Sequence, residues 1–184
     1  MLYFTSDFHL GHANIIKFCN RPFSSVEEMD KVITDNFLTT VKSGDKVYFL
    51  GDLSMRREIA LDFLTKVPKN IEFHFILGNH DSKFPATELQ KYCRSVSQYK
   101  NIQEQGKSIF LCHYPMYTWP SSHYGSWMCF GHHHWDTRNI FYGKMMNVSA
   151  DANNFKLVSF DEVVSFMKTR ENNWDYIKDR KKVD

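Results

Sequence analysis

No apolar run in the 184-residue chain approaches the roughly 20 residues that a membrane-spanning helix needs, and Met1 leads straight into Leu2-Tyr3-Phe4 without a basic region and cleavage site. A cytoplasmic protein with no membrane partner is the expectation. Cysteine is sparse and unpaired in pattern: Cys19, Cys93, Cys112 and Cys129 form no Cys-x-x-Cys, and the last two lie in apolar runs where a thiol behaves as a small hydrophobe. Buried, reduced thiols are therefore expected rather than a thiolate metal site. An excess of one charge is missing too. The 23 Lys and Arg nearly cancel the 21 Asp and Glu, leaving +2, so composition alone points to neither a nucleic-acid nor a membrane binder. No repeat, low-complexity tract or Gly/Pro/Ser-rich linker divides the chain, whose length fits one domain over residues 1–184 with a core that needs no disulfide. What is abundant is aromatic: sixteen Phe, nine Tyr and four Trp, whose expected use is a large core.

The residue pattern changes half-way along. Residues 2–5, 46–50 and 71–77 are strand-like runs, ended by Ser6-Asp7, Gly51-Asp52 and Gly78-Asn79. Between the first two, Ser25 to Glu28 has capping-box spacing and opens a helix with Val26, Met29, Ile33, Phe37 and Val41 along one face. Residues 58–67 read as a second helix. Alternating strands and helices predict a parallel α/β sheet, and in such sheets ligand groups gather where the strands end at their carboxyl side. Further on, residues 108–112, 127–130, 144–148 and 156–160 are short strand-like runs separated by turns, which predicts a mainly antiparallel second sheet packed on the first. A helix follows over about 161–168. The charged residues 170–184 form either a docked terminal helix or a frayed tail.

Five short motifs stand at the ends of these runs: Asp7-Phe8-His9, Gly51-Asp52, Gly78-Asn79-His80-Asp81, His113, and Gly131-His132-His133-His134. Singly, each has an ordinary reading, since Asp or Gly-Asp after a strand is common turn chemistry and a histidine run can be a chance cluster. Together they predict a metal cage of Asp7, His9, Asp52, Asn79, His113, His132 and His134. In an extended segment residues i and i+2 point the same way, so Asp7 with His9, and His132 with His134, can each approach one ion together. The donors are nitrogen and oxygen without thiolate, which suits Mn, Fe, Zn or Ni better than Ca, manganese being the first expectation. Seven ligands are too many for one tetrahedral zinc and fit two divalent ions sharing a bridging carboxylate. Two ions about 3.5 to 4 Å apart can hold a hydroxide and clamp a phosphoryl group for in-line attack.

In these motifs, over roughly residues 2–150, the sequence resembles the calcineurin-like metallophosphoesterases. The resemblance implies an α/β fold of two mixed sheets packed as a sandwich and flanked by helices, with a dinuclear site at one end of the sheets. It also implies a partition of ligands, with Asp7, His9, Asp52 and His134 on one ion and Asp52, Asn79, His113 and His132 on the other. Asp52 bridges. His133 falls at the family's variable position and is not assigned as a ligand. His80, by the same resemblance, faces the substrate as the catalytic residue, donating a proton to the leaving oxygen or stabilising charge. One departure stands out: in Asp52-Leu53-Ser54-Met55-Arg56, Met55 replaces the carboxylate that supports the catalytic histidine in the family's protein phosphatases.

Weaker candidates surround the cage. His12 can line the same mouth, and Arg21 and Arg56 could reach a phosphate, Arg21 with a bidentate fork. Tyr114, Tyr117, Trp119, His123 and Tyr124 occupy a Pro-punctuated loop near the metals, where they either pack the loop or stack on a base. The function expected is metal-dependent hydrolysis of phosphate esters, with a small or nucleotide-like diester as substrate. A phosphomonoesterase or a non-catalytic scaffold on the same fold are the alternatives, and nucleic acid is a less favoured partner.

Overall fold

The computed structural model describes residues 1–137 and 140–172. Strands β1 (Leu2–Thr5), β2 (Lys46–Phe49), β3 (Glu72–Ile76) and β4 (Ser95–Ser97) run parallel in one sheet, which a short antiparallel strand β9 (Val158–Ser159) closes beside β1. The order is β4-β3-β2-β1-β9. Strands β5 (Tyr99–Glu104), β6 (Lys107–Cys112), β7 (Trp127–Phe130) and β8 (Met145–Asn147) form the second sheet in sequence order.

Both sheets are mixed. The second was expected to be mainly antiparallel, but only β5 and β6, joined through the tight turn at Gln105-Gly106, pair that way. The β6–β7 and β7–β8 pairs are parallel because residues 113–126 and 131–144 are long enough to carry the chain back to the same end. The run at 156–160 was also placed in the wrong sheet: Val158 pairs with Phe4 of the first sheet, and Phe160 already opens a helix.

Pleat alternation builds three apolar layers. On β2, Val47 and Phe49 face helices α2 (Val26–Thr40) and α3 (Arg57–Lys66), meeting Met29, Ile33, Phe37 and Phe63. Tyr48 and Leu50 point the other way, toward Ile109, Leu111, Trp127 and Cys129 between the sheets. Helix α5 (Phe160–Lys168) contacts β1, β9 and β8, closing the edge of both sheets. The outer face of the second sheet buries Phe110, Met128 and Phe130 against Trp119 of the long β6–β7 loop. With β2 and β7 buried on both faces, their sequences read as nearly unbroken apolar runs.

The predicted helices form, with α2 capped by Ser25 Oγ, which accepts from Glu28 N at 3.2 Å. The box is only half closed, since the Glu28 carboxylate takes the Ser24 N–H instead. A complete box opens α5, through Ser159 and Glu162. Helices α1 (Ala13–Phe18) and α4 (Ala86–Leu89) and strands β4 and β5 were not anticipated. The terminal helix or tail foreseen for 170–184 lies outside the described residues from 173 onward. Among the described residues no helix is long and apolar enough to cross a membrane. The four cysteines are free, and burial pushes the Cys19 thiol up to about 11 and that of Cys93 up to about 12, in the unreactive direction.

Candidate metal centre

The carboxyl ends of β1, β2, β3, β6 and β7 converge from both sheets, and each delivers one of the donor motifs. The convergence is not the simple pleat alternation expected. Asp7, His9, Asp52 and His132 have φ of 59°, 50°, 61° and 68°, so the chain leaves each strand through a left-handed turn that throws the side chain inward. Glycine makes the close approach possible. A Cβ on Gly78 would stand 2.2 Å from Asp52 Oδ1, and one on Gly131 would stand 2.5 Å from Asp7 Oδ2.

Among the described residues, clusters with metal-ligand spacing include His9 with Asp52 and His80, and Cys19 with His134 and Asp151; the predicted donors themselves fall into two groups. Asp7, His9 and His134 lie together, with His9 Nε2 3.8 Å and His134 Nε2 3.9 Å from Asp7 Oδ1. Asp52, His113 and His132 form the other group, where Asn79 Oδ1 stands 3.0 Å from His113 Nε2. His132 and His134 therefore serve different groups rather than one ion together. Asp52 stands between: its Oδ2 is 3.7 Å from His9 Nε2 and 3.5 Å from His113 Nε2, spacings that suit donors around a shared cation.

The buried atoms of the first group fit a cation. Asp7 Oδ2 accepts from Ser6 Oγ and from His132 N at 2.9 Å, but among the described residues Oδ1 has no hydrogen-bond partner, nor has either ring nitrogen of His9. Burial, opposed by nearby imidazoles, pushes Asp7 up to about 6, and burial with neighbouring positive groups holds His9 down to about 2. Such orphaned, desolvated donors are costly unless something occupies the space between them. His113 is aimed by Nδ1 against Leu50 O at 2.7 Å, which turns Nε2 to the centre.

The sequence model of the calcineurin-like phosphoesterases matches residues 2–174. The chain belongs to this family. An uncharacterized protein of Methanocaldococcus jannaschii, MJ1445, is 36% identical over 178 residues, covering 91% of each chain. The Gene 66 protein of Mycobacterium phage L5 is 34% identical over 87 residues, 45% of this chain and 41% of its own. The crystal structure of the Aquifex aeolicus protein of unknown function AQ665 superposes with a TM-score of 0.71 at 26% identity, covering 90% of this chain and 98% of its own. Family membership supports metal-dependent hydrolysis of phosphate esters and leaves the substrate open.

In this member of the phosphoesterase family, the other predicted residues divide. His80 is at the mouth, its side chain 36% exposed and its Nε2 3.8 Å from Asp52 Oδ2, while its backbone N–H donates to Asp52 Oδ1 at 2.9 Å. His12 is 6.0 Å from the His9 ring and half-buried. Arg56 lies in solvent paired with Glu58 at 3.2 Å. Arg21 does not fit a phosphate contact: its guanidinium is fully buried and closed on Asp151 and on the carbonyls of Asp7 and Phe8. Trp119 is not a stacking wall either, being buried with Nε1 donating to Ser126 O at 3.3 Å. Tyr114 of the same loop does reach the site, its ring 4.8 Å from that of His132 and 44% exposed.

Two carboxylates carry more than the sequence revealed. Asp81 accepts from Asp52 N at 2.6 Å, Gly78 N at 2.8 Å and Leu53 N at 3.2 Å, tying the ends of β2 and β3 together. Burial pushes it up to about 6 against the pull of those N–H groups. Asp151, absent from the motif reading, accepts from His134 Nδ1 at 2.7 Å. Nothing local marks it, since it follows the motifs' last histidine by a loop and a strand.

Proposed function

We propose that the protein is a phosphodiesterase on small or nucleotide-like esters, working at a centre of two divalent ions, manganese first among those that fit. Asp7, His9, Asp52 and His134 would hold one ion, and Asp52, Asn79, His113 and His132 the other. The observation that carries this reading is the place of Asp52 Oδ2, within 3.5 to 3.7 Å of imidazole nitrogens from both groups. Two such ions would supply Lewis acidity toward the phosphoryl oxygens and would lower the pKa of a water.

The protein's own groups do the rest. The left-handed turns pre-position the donors, so little reorganisation accompanies binding. His80, held by its backbone bond to Asp52, presents an imidazole at the mouth to protonate the leaving oxygen or to stabilise charge on the transferring group. His12, its ring 6.0 Å from that of His9, would be the neighbouring group to orient an ester oxygen. Asn79, His80 and Tyr114 keep solvent-accessible surface, and a mouth open on their side would admit both arms of a diester. Tyr114 offers a face on which an aryl or base arm can lie.

The test is a comparison of kcat/KM, with Mn added, for bis-p-nitrophenyl phosphate and nucleotide diesters against p-nitrophenyl phosphate and phosphoserine peptides. A preference for diesters is expected. A preference for monoesters would reassign the substrate class, and absence of turnover on every ester would favour a non-catalytic role.

A further inference from the structure

Arg21 and Asp151 sit 130 residues apart in the chain and meet beneath the first donor group. Nε and Nη2 of Arg21 donate to the two oxygens of Asp151, each at 2.8 Å, and the Asp151 Oδ2 also accepts from His134 Nδ1 at 2.7 Å. The same guanidinium reaches the other side of the group, donating from Nη2 to Asp7 O at 2.7 Å and from Nη1 to Phe8 O at 2.8 Å. With Met29 Sδ at 3.3 Å from Nη1, every nitrogen of the fork has a partner. The side chains of Arg21 and Asp151 are 0% and 5% exposed, and the Phe155 ring lies 5.4 Å from the guanidinium carbon.

A buried ion pair is weak as a source of stability, because desolvation offsets most of the Coulomb attraction. What this one provides is geometry. The planar fork fixes two successive carbonyls, at the left-handed Asp7 and at Phe8, together with the carboxylate that grips His134. A proton on His134 Nδ1, donated to Asp151, leaves the Nε2 lone pair facing Asp7 Oδ1 and makes the ring a better donor to a cation. The second group is aimed separately, through Leu50 O and His113.

We propose that Arg21 and Asp151 are positioning residues for one metal site only: a clamp that spans the first donor group and sets its affinity, while leaving the second site untouched. The proposal rests on the two-ion reading above. Asp151→Asn removes the charge and one acceptor oxygen, so the remaining oxygen can keep His134 and Nη2 of Arg21 only by giving up the bond to Nε. Arg21→Lys replaces the fork with a single point donor.

Calorimetric titration of the metal-stripped full chain with MnCl2 tests the clamp. In both variants, one of two Mn sites is expected to weaken by roughly 10- to 100-fold, with the other unchanged. Parental affinity at both sites, or equal weakening of both, would overturn the clamp. Asp7→Asn, a ligand change, runs beside them. If it leaves both sites intact, the ligand assignment falls and the clamp with it; if it removes a site while Asp151→Asn does not, the clamp alone falls. Should Asp151→Asn fail to fold, nitrogen-15 histidine spectra of the Mn-free and Zn-loaded parent decide: the proton of His134 is expected on Nδ1, and a proton on Nε2 overturns the proposal.

Discussion

Asp7 and His9 lie 0% and 2% exposed under a covering of strand-end turns, whereas Asn79 is exposed and His132 and His80 keep part of their surface at the mouth. The deep group is fixed by backbone conformation, by Ser6 and by buried side-chain pairs. The shallow group borrows its order from Asp52 and from one carbonyl bond on His113. The contrast teaches how a small phosphoesterase can combine rigidity with access. Asp7, His9, Asp52 and His113 form the buried floor of the cage, and Asn79, with parts of His132 and His134, brings its rim to solvent. Unequal affinities at the proposed two-ion centre are the expectation.

The largest effect is expected where both halves meet. Asp52→Asn removes the charge shared by the two groups, and should lower Mn content at both sites and slow ester hydrolysis by at least roughly 10²-fold. Two bound Mn per chain and the parental rate would refute its bridging role. His80→Ala should leave both ions bound while slowing turnover by roughly 10²- to 10⁴-fold. For proton donation the loss should shrink with a nitrophenolate leaving group. Loss of metal, measured by elemental analysis, would instead make His80 a ligand.

His132→Ala sharpens the comparison from the shallow side. It should weaken the second Mn site while the first retains its affinity in the same titration, and a loss confined to the first site would reverse the partition. Trp119→Ala probes scaffold rather than site. Deleting a buried indole should cost about 3–5 kcal/mol of unfolding free energy in denaturant melts. Its KM for diesters should stay near parental in the folded fraction, because the ring faces Phe110 and Met128 rather than the mouth. A raised KM for nucleotide diesters alone would return Trp119 to the substrate wall.

The parts legible in the sequence were those with a local cause. Gly51-Asp52 and Gly78-Asn79 announce themselves because a glycine permits the close approach and the donor follows at once. The apolar faces of α2 and α3 show in their helical periodicity. What escaped depends on distant partners. Arg21 looks like a solvated phosphate contact until Asp151 is folded onto it, and Asp151 sits in a turn, residues 151–153, with no motif around it. The direction of β7 and β8 is set by the lengths of their crossovers rather than by their own residues. β4 and β5 are short or polar edge strands, whose pattern resembles loop.

The central claim, two ions sharing Asp52, is tested most directly by anomalous scattering at the manganese edge from crystals grown with MnCl2. The account predicts two peaks, about 3.5 to 4 Å apart, one on each side of Asp52 Oδ2, with the deeper peak at the higher occupancy. A single peak bound by all the donors, or two peaks that do not share Asp52, would contradict it.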